Sequence, residues 1–150
     1  MLYQSKHVCA AADISRPDLN NWLVRGIVSP EVPAQGSGRP AKFSTRDLMF
    51  VAALARLRDM GMAPADAEGL AEQVARDAAR YLLIRQDGNA ARPTVEEVTW
   101  RLYWHRVPEG WAFTREPDPS HPQITIDAAA MAEDAMGRLL DNFPFLEGHN

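Results

Sequence analysis

The first half of the chain is dominated by apolar residues that recur at helical spacing. Because residues three or four positions apart share one face of an α-helix, this pattern predicts helices that bury one side. Four helices are predicted: over 6–12, over 15–26, from a capping box at 44–47 to Gly61, and over about 64–85. Ser15 is expected to cap the second helix, and Gly26 is expected to end it.

The connection between the second and third predicted helices is rich in proline and glycine and is basic near its end. Ile27 and Val28 predict a short extended segment that pairs with Lys42 and Phe43. Residues 35–43 predict a loop with a flexible, glycine-containing tip and a basic base.

Beyond Pro93 the period changes from helical spacing to the two-residue alternation of β-strands. This region predicts, in order, strands over 98–105, 111–115 and 123–126 and a helix over 127–140. A second possibility stays open, because the capping box at 94–97 also fits a short helix before or in place of the first strand. The whole pattern predicts an α+β fold that is mainly helical, with a small β-hairpin and helix at the carboxyl end.

Length and composition narrow the class of protein. The chain has 150 residues and is 46% hydrophobic, which is ordinary for a globular protein of one domain or two small ones. No secretory leader pattern opens the chain, and no apolar run approaches the length of a membrane span. Cys9 is the single cysteine, so an intrachain disulfide cannot form. These features predict a cytoplasmic protein without a membrane partner.

The net charge of −4 is unevenly distributed along the chain. Residues 1–62 carry eight cationic and five acidic side chains, a net charge of +3, which leaves −7 for the remainder. A basic amino-terminal part on an acidic body indicates that one end of the protein meets a polyanion. An acidic body is also consistent with a requirement for solubility alone.

Three short sequence motifs follow one another within the first 62 residues. The run 19–27 combines a leucine, an asparagine pair, a tryptophan, a basic residue and a glycine. The run 42–48 combines a lysine and a phenylalanine with a serine-capped helix start, and the run 57–62 places leucine and glycine before a further helix. Together these motifs, which lie in the amino-terminal half of the chain, resemble the MerR-type winged helix-turn-helix family.

The resemblance implies an organisation in three parts. Residues 1–62 would form a MerR-like winged-helix DNA-binding head, residues 63–92 a connecting or dimerising helix with a linker, and residues 93–150 an α+β region for dimerisation or for ligand or partner binding. The implied function is a homodimeric, sequence-specific transcriptional regulator that binds double-stranded DNA. Asn20 and Asn21 stand where members usually carry arginine and tyrosine, which favours contact with bases over contact with phosphate.

The second predicted helix and the loop after it carry the residues expected at the DNA. Arg16, Asn20 and Asn21 are the expected base contacts, because arginine pairs with the edge of guanine and asparagine with that of adenine. Phosphate contacts set register and supply salt-dependent affinity. The expected phosphate contacts are Lys6, Ser15, Arg25, Arg39 and Lys42. The alternative for each of these residues is an ordinary solvated position on the surface.

Five aromatic residues mark the second half of the chain: Trp100, Tyr103, Trp104, Trp111 and Phe113. They form either a surface for a ligand or partner or the core between the hairpin and the following helix, and we favour the core. The sequence does not identify a small-molecule effector. No catalytic constellation and no metal-ligand spacing is found, so we expect no enzyme activity, no cofactor and no metal.

Two other functions stay open on the sequence. A phage-type excisionase or DNA-packaging adaptor would use the same head for an architectural purpose. A protein-interaction module would instead use the acidic carboxyl-terminal region to bind a partner.

Overall fold

The computed structural model describes residues 1–36, 38–87 and 100–146, and it has an α+β fold that is 55% helical. The described residues form five α-helices and two small antiparallel sheets. In chain order the elements are β1 (Tyr3–Gln4), α1 (Ser5–Ala12), α2 (Arg16–Val24), β2 (Lys42–Phe43), α3 (Thr45–Asp59), α4 (Pro64–Asp87), β3 (Arg101–Val107), β4 (Gly110–Thr114), β5 (Gln123–Asp127) and α5 (Ala128–Asn142). A short 3-10 turn over Pro144–Leu146 follows α5.

A tight turn joins α1 to α2. Asp13 adopts a left-handed φ of 53° and ends α1. Ser15 then begins α2, since its Oγ accepts the N–H of Asp18 at 3.2 Å and the Asp18 carboxylate accepts the N–H of Ser15 at 3.4 Å. The predicted cap is therefore confirmed. The helix ends at Val24, just before Gly26, whose φ of 70° suits a residue without a side chain.

One carboxylate both caps α3 and anchors the loop that precedes β2. Ser44 Oγ accepts the N–H of Asp47 at 3.1 Å, which confirms the predicted capping box. Asp47 Oδ2 accepts the N–H of Ser44 and the N–H of Glu31, each at 2.9 Å. The loop therefore leaves the body of the protein at a position that the start of α3 determines.

The prediction that Ile27 and Val28 pair with β2 was wrong. Ile27 and Val28 are buried but lie in no strand, because their N–H groups both donate to the carbonyl of Trp22, at 3.0 and 3.3 Å. These bonds keep the backbone in a turn that closes α2. Strand β2 pairs instead with β1, and Val32 exchanges two backbone hydrogen bonds with Lys42, at 3.0 and 2.9 Å.

The second half of the described chain follows its predicted order of elements. The apolar stripe predicted on α4 is buried: Ala67, Leu70, Ala71, Val74, Ala78, Tyr81 and Leu82. Strand β3 lies between β4 and β5, and both pairings are antiparallel. Asp127 caps α5 as predicted, its Oδ1 accepting the N–H of Ala130 at 3.0 Å. The possible helix at 94–97 lies outside the described residues.

One hydrophobic core runs through the described chain. Helix α1 packs against both α3 and α5, and α5 packs against α4 as well. Arg138 of α5 donates from Nε to the carbonyl of Ala11 at 3.0 Å, while Glu133 accepts hydrogen bonds from Tyr81 and Arg85 of α4. The boundary at residue 62 stays a prediction, and the boundary at residue 92 lies outside the described residues. Within the described ranges, no helix combines the length and apolar character needed to cross a membrane.

His7 is buried where α1 meets the carboxyl-terminal tail. Its Nδ1 accepts the N–H of Gln4 at 3.2 Å, and its Nε2 is buried without a hydrogen-bond partner in the described structure. The ring of Phe143 packs edge-on against it, with 4.7 Å between centroids, and Lys6 Nζ lies 5.5 Å from the centre of the Phe143 ring. Burial, with the Lys6 charge adding to it, lowers the pKa of His7 below its usual 6.5.

We expect His7 to make the folded chain less stable in mild acid. The unfolded chain binds a proton at His7 with the ordinary pKa of 6.5, whereas the folded chain resists protonation, so stability falls once the pH drops below that value. Thermal unfolding followed by circular dichroism at pH about 7.5 and about 5.5 measures the effect. His7→Asn keeps an acceptor for the Gln4 N–H, and its Tm should fall less between the two pH values than that of the wild type. An equal fall in both proteins would contradict this assignment.

Candidate nucleic-acid interface

Helix α2 turns an apolar face inward and a polar face to solvent. Leu19 and Trp22 are 0% and 2% exposed, and both belong to the hydrophobic core. The exposed face consists of Arg16, Asn20, Asn21, Val24 and Arg25. All three predicted base contacts and one predicted phosphate contact are therefore accessible on one helix.

Arg58 of α3 fixes the rotation of α2 about its own axis. Its Nη1 lies 3.4 Å from Asp18 Oδ2, and its guanidinium carbon lies 5.5 Å from the centre of the Trp22 ring. Asp18 and Trp22 are four residues apart and so lie on the same side of the helix. The hydroxyl hydrogen bond from Ser15 lowers the pKa of Asp18, and Arg58 lowers it further, so the carboxylate is charged at neutral pH.

The structure brings two of the predicted base contacts together. Arg16 Nε donates to Asn20 Oδ1 at 3.3 Å, across one turn of the helix. The neighbouring Asn21 is exposed, and its side-chain amide makes no hydrogen bond to the described residues. The outward face thus offers amide and guanidinium groups of the kind that reach base edges in a DNA groove.

The hairpin loop, defined here as residues 29–41 apart from position 37, carries one exposed cation, Arg39. Lys42 follows the loop in β2 and is exposed, and its backbone is fixed by the hydrogen bonds to Val32. Arg39 Nη1 donates to Gln35 Oε1 at 3.4 Å, and the N–H of Gln35 donates to the Arg39 carbonyl at 3.0 Å. In the described part of the chain, neither Arg39 nor Lys42 pairs with a carboxylate, so both charges are available to an anion.

Two other predicted phosphate contacts are engaged within the protein. Lys6 lies over the ring of Phe143, against the carboxyl-terminal tail. The hydroxyl of Ser15 donates to Asp18 Oδ2 at 2.7 Å while it accepts the Asp18 N–H, so its hydrogen belongs to the helix cap. Arg25 is exposed at the end of α2, and it forms no ion pair among the described residues.

The five aromatic residues of the second half differ in burial and in the face of the sheet that they occupy. Trp100 and Trp104 are buried, Tyr103 and Trp111 are partly buried, and Phe113 is 38% exposed. The rings of Trp104 and Phe113 lie 5.8 Å apart, whereas Tyr103 projects from the opposite face of β3 because neighbours on a strand alternate. The five therefore do not share one surface, and the burial of the two tryptophans agrees with the core interpretation.

No metal cluster is found in the described ranges, and the groove beside Gly26 does not compete with the α2 face for an anion. No group of three or more histidine, cysteine or carboxylate side chains among the described residues is arranged to hold a metal ion. A groove of about 580 Å³ beside Gly26 is lined by Asp47, Glu68 and Glu72, with Arg46 as its only lining cation. Its acidic lining does not suit an anion. The chemistry suited to a polyanion thus lies on the exposed face of α2 and on the loop.

Sequence reasoning missed Val24, Asp47 and Arg58 as parts of this site. Val24 is 88% exposed and lies four residues after Asn20, so helical spacing alone was a sufficient signal. The roles of Asp47 and Arg58 depend on contacts with Glu31 and with Asp18 that helical spacing does not indicate.

A scan against protein-family models gave no match, and a search of curated proteins gave no significant match either. The proposed function therefore rests on the exposed amide and guanidinium groups of α2 and on the cations Arg39 and Lys42.

We expect the cap of α2 to be a measurable part of stability. Ser15→Ala removes the acceptor for the Asp18 N–H, which should lower the free energy of unfolding by about 1 kcal/mol. Ser29→Ala is the matched control, because Ser29 is exposed and caps no helix. Urea unfolding of the wild type and the two variants measures the difference. A loss for Ser15→Ala no larger than that of the control would show that the cap contributes nothing.

Proposed function

We propose that this protein is a sequence-specific DNA-binding transcriptional regulator of MerR-like type. Helix α2 reads the major groove of duplex DNA, and the hairpin loop acts as a basic wing on the neighbouring backbone. The observation that carries the proposal is the division of α2 into a buried apolar face and an exposed face rich in amide and guanidinium groups. A nine-residue helix with this division can enter a major groove about 12 Å wide and present its polar face to the bases.

The mechanism combines a positioning part with a reading part. Lys42 and Arg39 attract phosphates, and this attraction gives register on the duplex and affinity that falls with salt. Their backbone is held by Val32 and Gln35, and Asp47 holds the loop at its start, so the cations keep a constant relation to α3. The bases are read by α2, whose rotation Arg58 fixes from the same helix α3.

The proposed regulator is a homodimer, because two copies related by a two-fold axis read the two half-sites of a palindromic DNA site. An apolar groove of about 480 Å³ supports α4 as the dimer contact, and its lining includes Met1, Leu2 and Leu83. These three side chains are 50%, 43% and 59% exposed, respectively. The tail is the other candidate, but its Phe143 already packs against His7 within the chain.

The DNA-binding proposal is tested by comparing one phosphate contact with one base contact. Lys42→Gln should weaken binding to every duplex and reduce the slope of log affinity against log salt by about 1. Asn21→Ala should keep that slope and lose discrimination of about 1–3 kcal/mol between the selected site and a random duplex. Fluorescence anisotropy with labelled duplexes over a range of salt concentrations gives both quantities.

Arg106→Gln controls for the loss of a surface charge, because Arg106 is an exposed cation of β3 in the second half of the chain. It should leave both quantities unchanged. Loss of specificity in all three variants alike would contradict the assigned roles. A wild-type chain that binds no duplex in a salt-dependent way would overturn the function itself.

The dimer contact is tested by two exposed apolar residues in different places. Leu83→Glu should convert the protein to a monomer, because burying a carboxylate at the contact costs far more free energy than burying leucine. Phe145→Glu, at a tail residue that is 64% exposed, should stay dimeric. Multi-angle light scattering measures the mass of each variant. The opposite result would place the contact on the tail, and a monomeric wild type would overturn the proposal of a homodimer.

A further inference from the structure

The hydrogen bond between Arg16 and Asn20 decides which groups these side chains present to a base. An arginine Nε can only donate, so the atom of Asn20 that receives it at 3.3 Å is the carbonyl oxygen. The amino group of Asn20 keeps both of its N–H donors for a ligand, whereas its oxygen keeps one of two lone pairs. The guanidinium of Arg16 keeps its other N–H groups, so the pair presents mainly hydrogen-bond donors.

Arg16 contacts Asn20 because Asn20 lies one helical turn away, whereas Asp18, two residues away, faces another side of the helix. Asp18 accepts hydrogen bonds from Ser15 and lies 3.4 Å from Arg58 Nη1. Arg16 forms no ion pair within the described chain. Its guanidinium therefore keeps its charge exposed on α2, in a position that the hydrogen bond to Asn20 restricts.

A donor-rich pair matches one base better than the other three. In the major groove guanine presents two acceptors, N7 and O6, whereas adenine presents one acceptor and one donor. An asparagine that reads adenine uses its carbonyl oxygen for the adenine amino group, and here one of the two lone pairs of that oxygen already accepts from Arg16, so the pair offers more free donors than free acceptors. We propose, resting on the DNA-binding function above, that Arg16 and Asn20 act as one guanine-reading unit.

Val24 extends the same stripe of the helix. Arg16, Asn20 and Val24 are spaced at four-residue intervals, and Val24 is 88% exposed. An apolar side chain in the major groove contacts the methyl group of thymine. Val24 therefore reads a thymine on the carboxyl-terminal side of the unit. Eight residues of helix span about 12 Å, which places this thymine about three base pairs from the guanine.

The test starts by selecting bound sequences from random duplex DNA with the full chain. The selected half-site should contain a guanine whose preference is lost in Arg16→Met and weakened in Asn20→Ala. Replacing this guanine by 7-deazaguanine removes the N7 acceptor and should lower the affinity of the wild type about tenfold. The affinity of Arg16→Met should not respond to that replacement.

A second substitution probes the thymine contact. Exchange of the predicted thymine for uracil removes one methyl group, and it should weaken the wild type about fourfold and Val24→Ala much less. Melting temperatures of Arg16→Met, Asn20→Ala and Val24→Ala should stay near the wild type, because all three side chains are exposed.

The outcomes separate this inference from the function on which it rests. Specific binding to a half-site whose guanines are insensitive to Arg16→Met would overturn the guanine-reading unit and leave the regulator in place. Sensitivity of the wild type, but not of Asn20→Ala, to 7-deazaadenine would show that Asn20 reads an adenine by itself, which also overturns the unit. Absence of any salt-dependent duplex binding by the wild type would overturn both proposals.

Discussion

The orientation of α2 depends on the contacts of one guanidinium group together with the burial of Leu19 and Trp22. Arg58 contacts the Asp18 carboxylate and the Trp22 ring, which lie one turn apart on the same side of the helix. A rotation of α2 about its axis would break both contacts and would expose Trp22, a side chain that is now 2% exposed. The direction in which Asn20 and Asn21 point therefore follows from the Arg58 contacts and from the burial of Leu19 and Trp22. Each contact is modest at a partly exposed site, so it is their combination with apolar burial that fixes the helix.

The features of the fold that could be predicted from the sequence are those that depend on residues close together in the chain. The caps at Ser15 and Ser44 close hydrogen bonds over three residues, so the residues that form them stand together in the chain. The stripe on α4 and the alternation along β3 are likewise local repeats, and both are buried on the predicted side. The exposure of the three predicted base contacts follows from the same argument, because a stripe that buries Leu19 and Trp22 leaves the opposite face in solvent.

The features that the sequence did not predict join residues far apart in the chain. Strand β1 has two residues and no recognisable alternation, yet it takes the place beside β2 that Ile27 and Val28 were expected to fill. Asp77 of α4 is 5% exposed, and its carboxylate pairs with Arg115 at 2.7 Å. The two residues are 38 positions apart, and no repeating pattern in the sequence indicates that they meet. Burial of a carboxylate is tolerated only with such a partner, so this pair ties the second sheet to α4.

Helix α1 is one of the places where the two halves of the chain meet, and this junction contributes to the position of α2. Helix α1 lies between α3 and α5, and Arg138 of α5 donates to the Ala11 carbonyl in its last turn. Only Asp13 and Ile14 separate α1 from Ser15, the cap of α2. Asp13 has a fixed left-handed conformation and Ile14 is buried, so this turn transmits the orientation of α1 directly to α2. The exposed face of α2 is thus positioned from one side by Arg58 and from the other by a helix that the carboxyl-terminal region holds in place.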